Sequence, residues 1–317
     1  MITVKRFELI LKKNYLFENK PKIAVAVSGG PDSIALVFLL QKWILKQKGS
    51  MIALIVDHRI RDNSKPEAIK INEYLQSKKI STKILSPKKM SVQKKTMKEA
   101  RNNRYQQFYN YCKKNKILHL FLGHHFDDNI ETYLIRKLAG SNLEGLRSIQ
   151  NKVFKNDLQI LRPFLDLKKN EIIKFNCNSK FNYIIDPSND NVKYTRVVVR
   201  KFLLKNIYSQ LIQNDFDEIK YYYPFYIQML YQILHKMIIS SSIKKIIINK
   251  DLFQSIDKEI SIKIMEIIYK FLKPKKRNIR YIKLLNILNI VNRGPSTSLN
   301  LAGVKINKHK DSLIFTS

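Results

Sequence analysis

Cysteine is scarce in this chain. Only Cys112 and Cys177 occur among 317 residues, and they form no C-x-x-C pair. Nothing in their spacing suggests a disulfide scaffold or a thiolate metal site, and a reducing, cytoplasmic setting fits. Long apolar runs are missing as well. No stretch of about 18 apolar residues occurs, which argues against a transmembrane helix and against a membrane partner. Residues 1–17 lack an unbroken apolar core and a small-residue cleavage site, so they read as an amphipathic helix packed before the first strand rather than a signal peptide. Acidic residues are few, 25 against 59 basic ones, for a net charge of +34. A field of that size favours a polyanion, nucleic acid first. Abundant Lys, Ile and Asn also read as the composition of an AT-rich genome, so charge alone leaves the partner open. No internal repeat or long low-complexity linker interrupts the chain, and its length suffices for two domains with separate cores.

The most informative stretch that is present runs from Ile23 to Ser33. The apolar run Ile23-Ala24-Val25-Ala26-Val27 ends in Ser28-Gly29-Gly30-Pro31-Asp32-Ser33, and a helical pattern follows from Ile34 to Leu40. A strand, a tight glycine turn and a helix N-terminus make an anion site, because free N–H groups and the positive end of the helix dipole point at the turn. The two common phosphate loops are absent: there is no Gly-x-x-x-x-Gly-Lys-Ser/Thr and no Gly-x-Gly-x-x-Gly, and no lysine is expected where it could reach a terminal phosphate.

Strand and helix patterns alternate through the first half. Strands are expected at 23–27, 51–56, 83–85 and 117–122, and helices at 32–46, 65–77, 93–114 and 127–138. Such alternation implies βαβ units and a parallel, doubly wound sheet in the α/β class, with functional groups at the carboxyl ends of the strands. The motifs obey that rule: Ser28–Ser33 follows the first strand, Asp57-His58-Arg59 the second, and Gly123-His124-His125 the fourth. We expect a catalytic domain over 1–205 and a smaller, mainly helical one over 206–317. Tyr221-Tyr222-Tyr223-Pro224 reads as a break whose tyrosines belong to a core or interface. Helical patterns follow at 227–240, 260–272 and 278–289, then short strands from Ser298 to Phe315.

A second chemical cluster, Gly123-His124-His125-Phe126-Asp127-Asp128-Asn129-Ile130-Glu131-Thr132, packs two His, two Asp and one Glu together. On a helix starting at Asp127, Asp128 and Glu131 share a face. Paired carboxylates beside a pyrophosphate site suit Mg²⁺ or proton transfer. A zinc site would need a different spacing, and Asp127 and Asp128 also fit simple helix-capping acids. Arg101 and Arg104 lie three apart beside Tyr105, in position to grip phosphates, and Arg196 and Arg200 lie four apart on one face. Lys94-Lys95, Lys113-Lys114 and Lys273-Pro274-Lys275-Lys276-Arg277 read as solvated charge with non-specific RNA affinity.

Ser28–Ser33 resembles the PP-loop of the N-type ATP pyrophosphatases. The His-Asp-Glu cluster is similar to that of the tRNA-modifying members. Val56-Asp57-His58-Arg59-Ile60-Arg61, Glu99-Ala100-Arg101-Asn102-Asn103-Arg104-Tyr105, Gly140–Leu146, Leu161-Arg162-Pro163-Phe164-Leu165 with Lys169-Asn170-Glu171-Ile172, and Asp186-Pro187-Ser188-Asn189 with Arg196 and Arg200 resemble motifs of the tRNA(Ile)-lysidine synthetases. Val197 and Asn129 depart from the family's usual Asn and Gln.

The resemblance implies an α/β fold with a five-stranded parallel sheet of the adenine nucleotide alpha hydrolase type. It implies ATP and Mg²⁺ as cofactors, and a CAU-anticodon tRNA(Ile) and free L-lysine as partners, with a homodimer left open. Its implied reaction adenylates the wobble cytidine and then attaches lysine. In that reading Ser28, Gly29, Gly30, Pro31, Asp32, Ser33 and Asp57 bind ATP, and Asp32, Asp127 and Asp128 hold Mg²⁺. Asp32, Asp128, Glu131 and Arg104 carry the catalysis. His124, His125, Arg101, Arg104, Arg196 and Arg200 hold lysine or RNA. A PP-loop thiolation enzyme and a non-catalytic tRNA-binding protein are the alternatives. The missing cysteine pair counts against the first and the intact motifs count against the second.

Overall fold

The computed structural model describes residues 2–57, 64–86, 97–155, 157–184, 195–205, 209–274, 276, 279–293 and 298–317. The chain divides into two compact units, Met1–Ile219 and Lys220–Ser317.

In the first unit, α1 (Val4–Asn14) precedes β1 (Lys22–Val27), α2 (Pro31–Lys46), β2 (Ser50–Val56), α3 (Ser64–Ser77), β3 (Thr82–Leu85), α4 (Met97–Lys114) and β4 (His119–Phe121). Then come α5 (Phe126–Leu138), α6 (Leu143–Leu146), β5 (Lys152–Lys155), β6 (Leu158–Leu161), α7 (Lys169–Asn178) and α8 (Thr195–Lys205). The sheet order is β3-β2-β1-β4-β6-β5, with five strands parallel and β5 antiparallel to β6. The five parallel strands match the expectation, and β5 is an additional edge strand. Its sequence, Lys-Val-Phe-Lys, is largely exposed and carries too little apolar signal to mark a strand.

The period-two alternation of the strands sorts their side chains into two cores. Ile23, Val25 and Val27 of β1, Ala53 and Ile55 of β2, Phe121 of β4 and Leu161 of β6 pack with α1, α2 and α7 on one face. Ala24, Leu54, Leu120, Leu158 and Ile160 pack with Phe108 and Cys112 of α4 on the other. Burial on both faces explains why β1 reads as a continuous apolar run.

The helix α9 (Ser209–Met237) contains Tyr221–Pro224, so the expected break there is not found. Proline removes one backbone donor, and the helical periodicity on both sides carries the helix through. Tyr221 and Tyr222 are exposed rather than part of a core. The sequence-based boundary at 205 coincides with the end of α8, whereas the compact units divide inside α9.

The second unit holds the C-terminal part of α9, β7 (Ile238–Ser242), β8 (Lys245–Asn249), α10 (Lys250–Ser255), α11 (Lys258–Leu272), α12 (Tyr281–Arg293), β9 (Ser298–Leu301), β10 (Val304–Lys308) and β11 (Ser312–Thr316). Its antiparallel sheet, ordered β7-β8-β11-β10-β9, packs on α11 and α12 through Ile248, Ile264, Met265, Leu288, Leu313 and Phe315. The helix expected over 227–240 ends at Met237, and the remainder enters β7. No helix among the described residues is long and apolar enough to cross a membrane.

Candidate active site

The turn between β1 and α2 is built around missing side chains. Gly29 has φ +84°, a conformation that favours glycine, and a Cβ there would stand 2.3 Å from Ile71 Cδ1, so the Ile71 side chain would have to shift. Gly30 is the N-cap of α2 and contributes no side-chain cap. The bonds that pin the turn use its carbonyls: Ile184 N–H donates to Gly29 O at 2.9 Å, Asn176 Nδ2 to Pro31 O at 2.8 Å, and Ser33 Oγ to Gly30 O at 2.9 Å. The first-turn N–H groups of Asp32 and Ser33 have no intrahelical acceptor, so the turn offers donors outward. Gly123, at the end of β4, lets that strand approach: a Cβ on it would lie 3.1 Å from the Asp32 carbonyl carbon and 3.2 Å from Ser33 N.

The helix α5 starts at Phe126, one residue before the expected start, and His125 is its N-cap. His125 N–H donates to Asp128 Oδ2 at 3.1 Å. The His125 ring reaches three carboxylates, with Nδ1 3.3 Å from Asp127 and Nε2 3.5 Å from Asp128 and 3.9 Å from Asp32. Asp128 N–H also lies 3.4 Å from Nδ1. That nitrogen cannot accept from Asp128 and donate to Asp127 at once, and the shorter contact with Asp127 favours donation. Burial alone would lower the His125 pKa, but Asp127, Asp128 and Asp32 outweigh it and raise it. Asp127 and Asp128 are held below the usual carboxylate range: burial opposes this, but His125 and, for Asp128, Arg196 prevail. His124 behaves oppositely. Burial pushes its pKa down to about 3, helped by the charges of Arg162, Arg101 and Arg196, and its buried Nδ1 has no partner among the described residues.

A lysine does reach the turn, from far along the chain. Lys169 opens α7; its backbone N–H donates to Asp127 Oδ2 at 2.7 Å, and its Nζ donates to both Asp32 oxygens at 2.6 and 2.5 Å. The N-termini of α2, α5 and α7 therefore converge on one small volume, each with its positive end inward. The sequence marked Lys169 only as part of a motif, with no role attached.

On the next turn of α5, Glu131 is 2% exposed. Arg196 Nε and Arg200 Nε, both on α8, donate to its two oxygens at 2.6 Å each. Arg196 Nη2 also reaches Asp128 Oδ1 at 2.9 Å. The expected shared faces, Asp128 with Glu131 and Arg196 with Arg200, thus meet each other. The Glu131 hydrogen bond is the main reason the Arg200 pKa is raised. Three donors from Arg196 and Arg200 converge on Glu131, which anchors the two arginines.

Asp57 is buried at the end of β2, where it accepts from Ser64 Oγ at 2.9 Å. Arg101 lies over the Tyr105 ring at 5.3 Å. Arg104 is half-buried, and burial, followed by the charge of Arg101, lowers its pKa. No carboxylate among the described residues pairs with it. Asn129 keeps a structural role despite its departure from the family pattern, accepting from Ile149 N–H at 2.7 Å. The expected motif residues His58–Arg61 and Asp186–Asn189, the pair Lys94-Lys95, and Lys275 and Arg277 lie outside the described residues. Neither cysteine belongs to the site. Cys112 is buried in the α4 core with its pKa pushed up to about 12, and Cys177 is exposed near the end of α7. Among the described residues no three His, Cys, Asp or Glu side chains group to hold a metal by themselves.

The chain is similar to known proteins. A family model described as a PP-loop domain matches residues 2–207. A tRNA(Ile)-lysidine synthase of Orientia tsutsugamushi (strain Boryong) is 38% identical over 200 residues, covering 63% of this chain and 45% of that protein. The chain thus spans about half the length of that relative. A tRNA(Ile)-lysidine synthase of Wolbachia pipientis wMel is 30% identical over 322 aligned residues, covering 97% of this chain and 73% of that protein. The U34-tRNA thiolase NcsA of Methanococcus maripaludis, solved with its [4Fe-4S] cluster, superimposes with a TM-score of 0.56 at 17% identity, over 68% of this chain and 78% of that one. That likeness speaks to the fold alone. With a PP-loop model across most of its length and near-complete alignment to such a relative, the chain belongs to the tRNA(Ile)-lysidine synthase family.

Proposed function

We propose that this chain converts the wobble cytidine of a CAU-anticodon tRNA(Ile) to lysidine, using ATP and free L-lysine in the cytoplasm. One observation carries the chemistry: the side-chain-free N-cap of α2 leaves the Asp32 and Ser33 N–H groups open at the carboxyl edge of the sheet, where the N-termini of α5 and α7 also point. That arrangement suits a departing pyrophosphate. The alignment of 97% of the chain with a relative named for lysidine synthesis favours this product among PP-loop reactions.

In the first step the cytidine O2 attacks the α-phosphorus of ATP. An O–P bond forms, the Pα–O–Pβ bond breaks, and pyrophosphate leaves into the Ser28–Ser33 turn. In the second, the lysine ε-amine attacks C2, the C2–O bond breaks, and AMP leaves with the oxygen. The incoming amine is cationic in water and must lose a proton. The carboxylates Asp127, Asp128 and Glu131, grouped on the first turns of α5, would draw that amine in. His124, held neutral, and the arginines Arg101 and Arg104 line the approach for the base and its phosphates. Asp32 already holds a cation, the Lys169 ammonium, on both oxygens. Each Asp32 oxygen keeps a second lone pair, so Asp32, with Asp127 or Asp128, would hold Mg²⁺, which would supply charge neutralisation for the leaving group.

The second unit is assigned to tRNA binding. It carries an open cavity of about 600 Å³ lined by Tyr269, Ile279 and the cations Lys276, Arg280 and Lys283. Whether the active species is a homodimer is read by light scattering.

The test is incubation with ATP, Mg²⁺, labelled lysine and unmodified CAU tRNA(Ile) transcript, followed by nucleoside mass analysis. Lysidine at the wobble position with matching AMP release is expected. Sulfur in the product, or tRNA binding without AMP release, would overturn the reading in favour of a thiolation enzyme or a non-catalytic binder.

A further inference from the structure

We propose that Lys169 is the cation that binds the departing pyrophosphate, held at the Ser28–Ser33 turn by Asp32 acting as its positioning residue; this rests on the proposed role of that turn. The Gly-x-x-x-x-Gly-Lys-Ser/Thr loop carries its own lysine for the phosphates, and the Ser28–Ser33 turn has none. The fold supplies one from the start of α7. Its main chain is fixed by the Asp127 carboxylate at 2.7 Å, so the Cα has little freedom. Its ammonium group has three N–H donors. Two are taken by Asp32, at 2.6 and 2.5 Å, and no third acceptor is found among the described residues.

The placement is specific. Asp32 sits in the first turn of α2, so the Lys169 ammonium is held beside the open N–H groups of Asp32 and Ser33. An anion docked on those groups would meet the third N–H. A merely structural pair explains the contact less well. Asp32 at a helix N-terminus is already stabilised by the dipole and needs no counter-ion. The pair is partly open, with Lys169 31% and Asp32 23% exposed, a setting in which an ion pair adds little to stability. The neighbouring carboxylates also create the need. Asp32, Asp127 and Asp128 would repel a polyphosphate, and Lys169 is the ammonium set among them.

The test measures binding of inorganic pyrophosphate to the full chain by titration calorimetry in metal-free buffer, so that neither turnover nor Mg²⁺ enters. Lys169→Met should weaken pyrophosphate binding at least tenfold, and Lys169→Arg should recover most of the loss. The decisive comparison is Asp32→Asn. It removes a negative charge beside the turn, so relief of repulsion alone would tighten pyrophosphate binding, whereas loss of the group that positions Lys169 should weaken it at least threefold. Binding as tight as or tighter than wild type would overturn the proposal and reduce Lys169 to a counter-charge. Circular dichroism of each variant verifies the fold. If the wild-type chain binds no pyrophosphate, the reading of the turn fails and this inference fails with it. Wild-type binding that Lys169→Met leaves intact sinks the inference alone.

Discussion

At the scale of single residues, the site is an arrangement of charges that compensate one another at short range. Glu131 is the clearest case. A buried carboxylate is tolerated because two guanidinium groups take both of its oxygens. Removing its charge leaves Arg196 and Arg200 facing a neutral amide. Glu131→Gln should cost about 2–4 kcal/mol by urea denaturation, below the figure for a fully buried pair because the arginines are over one-third exposed. A loss under about 1 kcal/mol would show that the arginines find other partners.

The two adjacent histidines make opposite predictions in the metal-free protein. His125 has a raised pKa, so its contribution to stability is full below the unfolded value of about 6.5 and is lost as pH rises through the higher folded value. His124 has a lowered one, so its contribution is full above about 6.5 and is lost as pH falls toward about 3. Together they give a stability maximum near pH 6.5. Below the usual carboxylate range, loss of the Asp127 and Asp128 charges takes stability down further. An NMR titration should find His124 still neutral at pH 5 and His125 still largely charged at pH 6.5, with His124→Gln and His125→Gln giving the assignments. An ordinary midpoint for His124 would contradict its burial as the controlling influence. These two histidines stood out in the sequence beside the acidic cluster, but their opposite charge states did not. Adjacent residues in sequence differ here because only one ring points at three carboxylates.

At the scale of elements, the β1–α2 turn was readable and its surroundings only partly so. An apolar β-branched run, two glycines, a proline and an amphipathic continuation permit few alternatives to strand, turn and helix. Glycine at 29 is favoured by its φ of +84°, and a Cβ there would also displace the Ile71 side chain. Gly29→Ala should therefore destabilise by about 1–3 kcal/mol and weaken ATP binding, since relief of the backbone strain shifts the N–H groups of the turn. Calorimetric melting and nucleotide titration check both effects; unchanged values for both would mean the turn relaxes without strain. The misread elements share a cause. Pro224 signals a break by local rules, yet α9 continues through it. The edge strand β5 and the short strands β7 and β8 lack a periodic pattern strong enough to stand out; β5 and β7 are strands through pairing with the next strand in the chain, and β8 also pairs with the distant β11.

At the scale of the whole molecule, the excess of 59 basic over 25 acidic residues gives a long-range field for a polyanion. The cations around the open cavity of the second unit are a local concentration of it. Arg280→Ala with Lys283→Ala should weaken tRNA binding and reduce the slope of log affinity against log salt by about 1–2, with pyrophosphate binding unchanged. An unaltered slope would move the RNA contact elsewhere.

Local chemistry alone determined the α/β class, the anion-binding turn and the acidic helix beside it. Each is encoded within a dozen neighbouring residues, through side-chain size, backbone freedom and periodicity. Tertiary structure decided which charges face which. Lys169 meets Asp32, and Arg196 and Arg200 meet Glu131, only because the sheet brings the starts of α2, α5 and α7 together and α8 packs on α5. Coulomb interactions depend on distance in space, and distance along the chain says little about it.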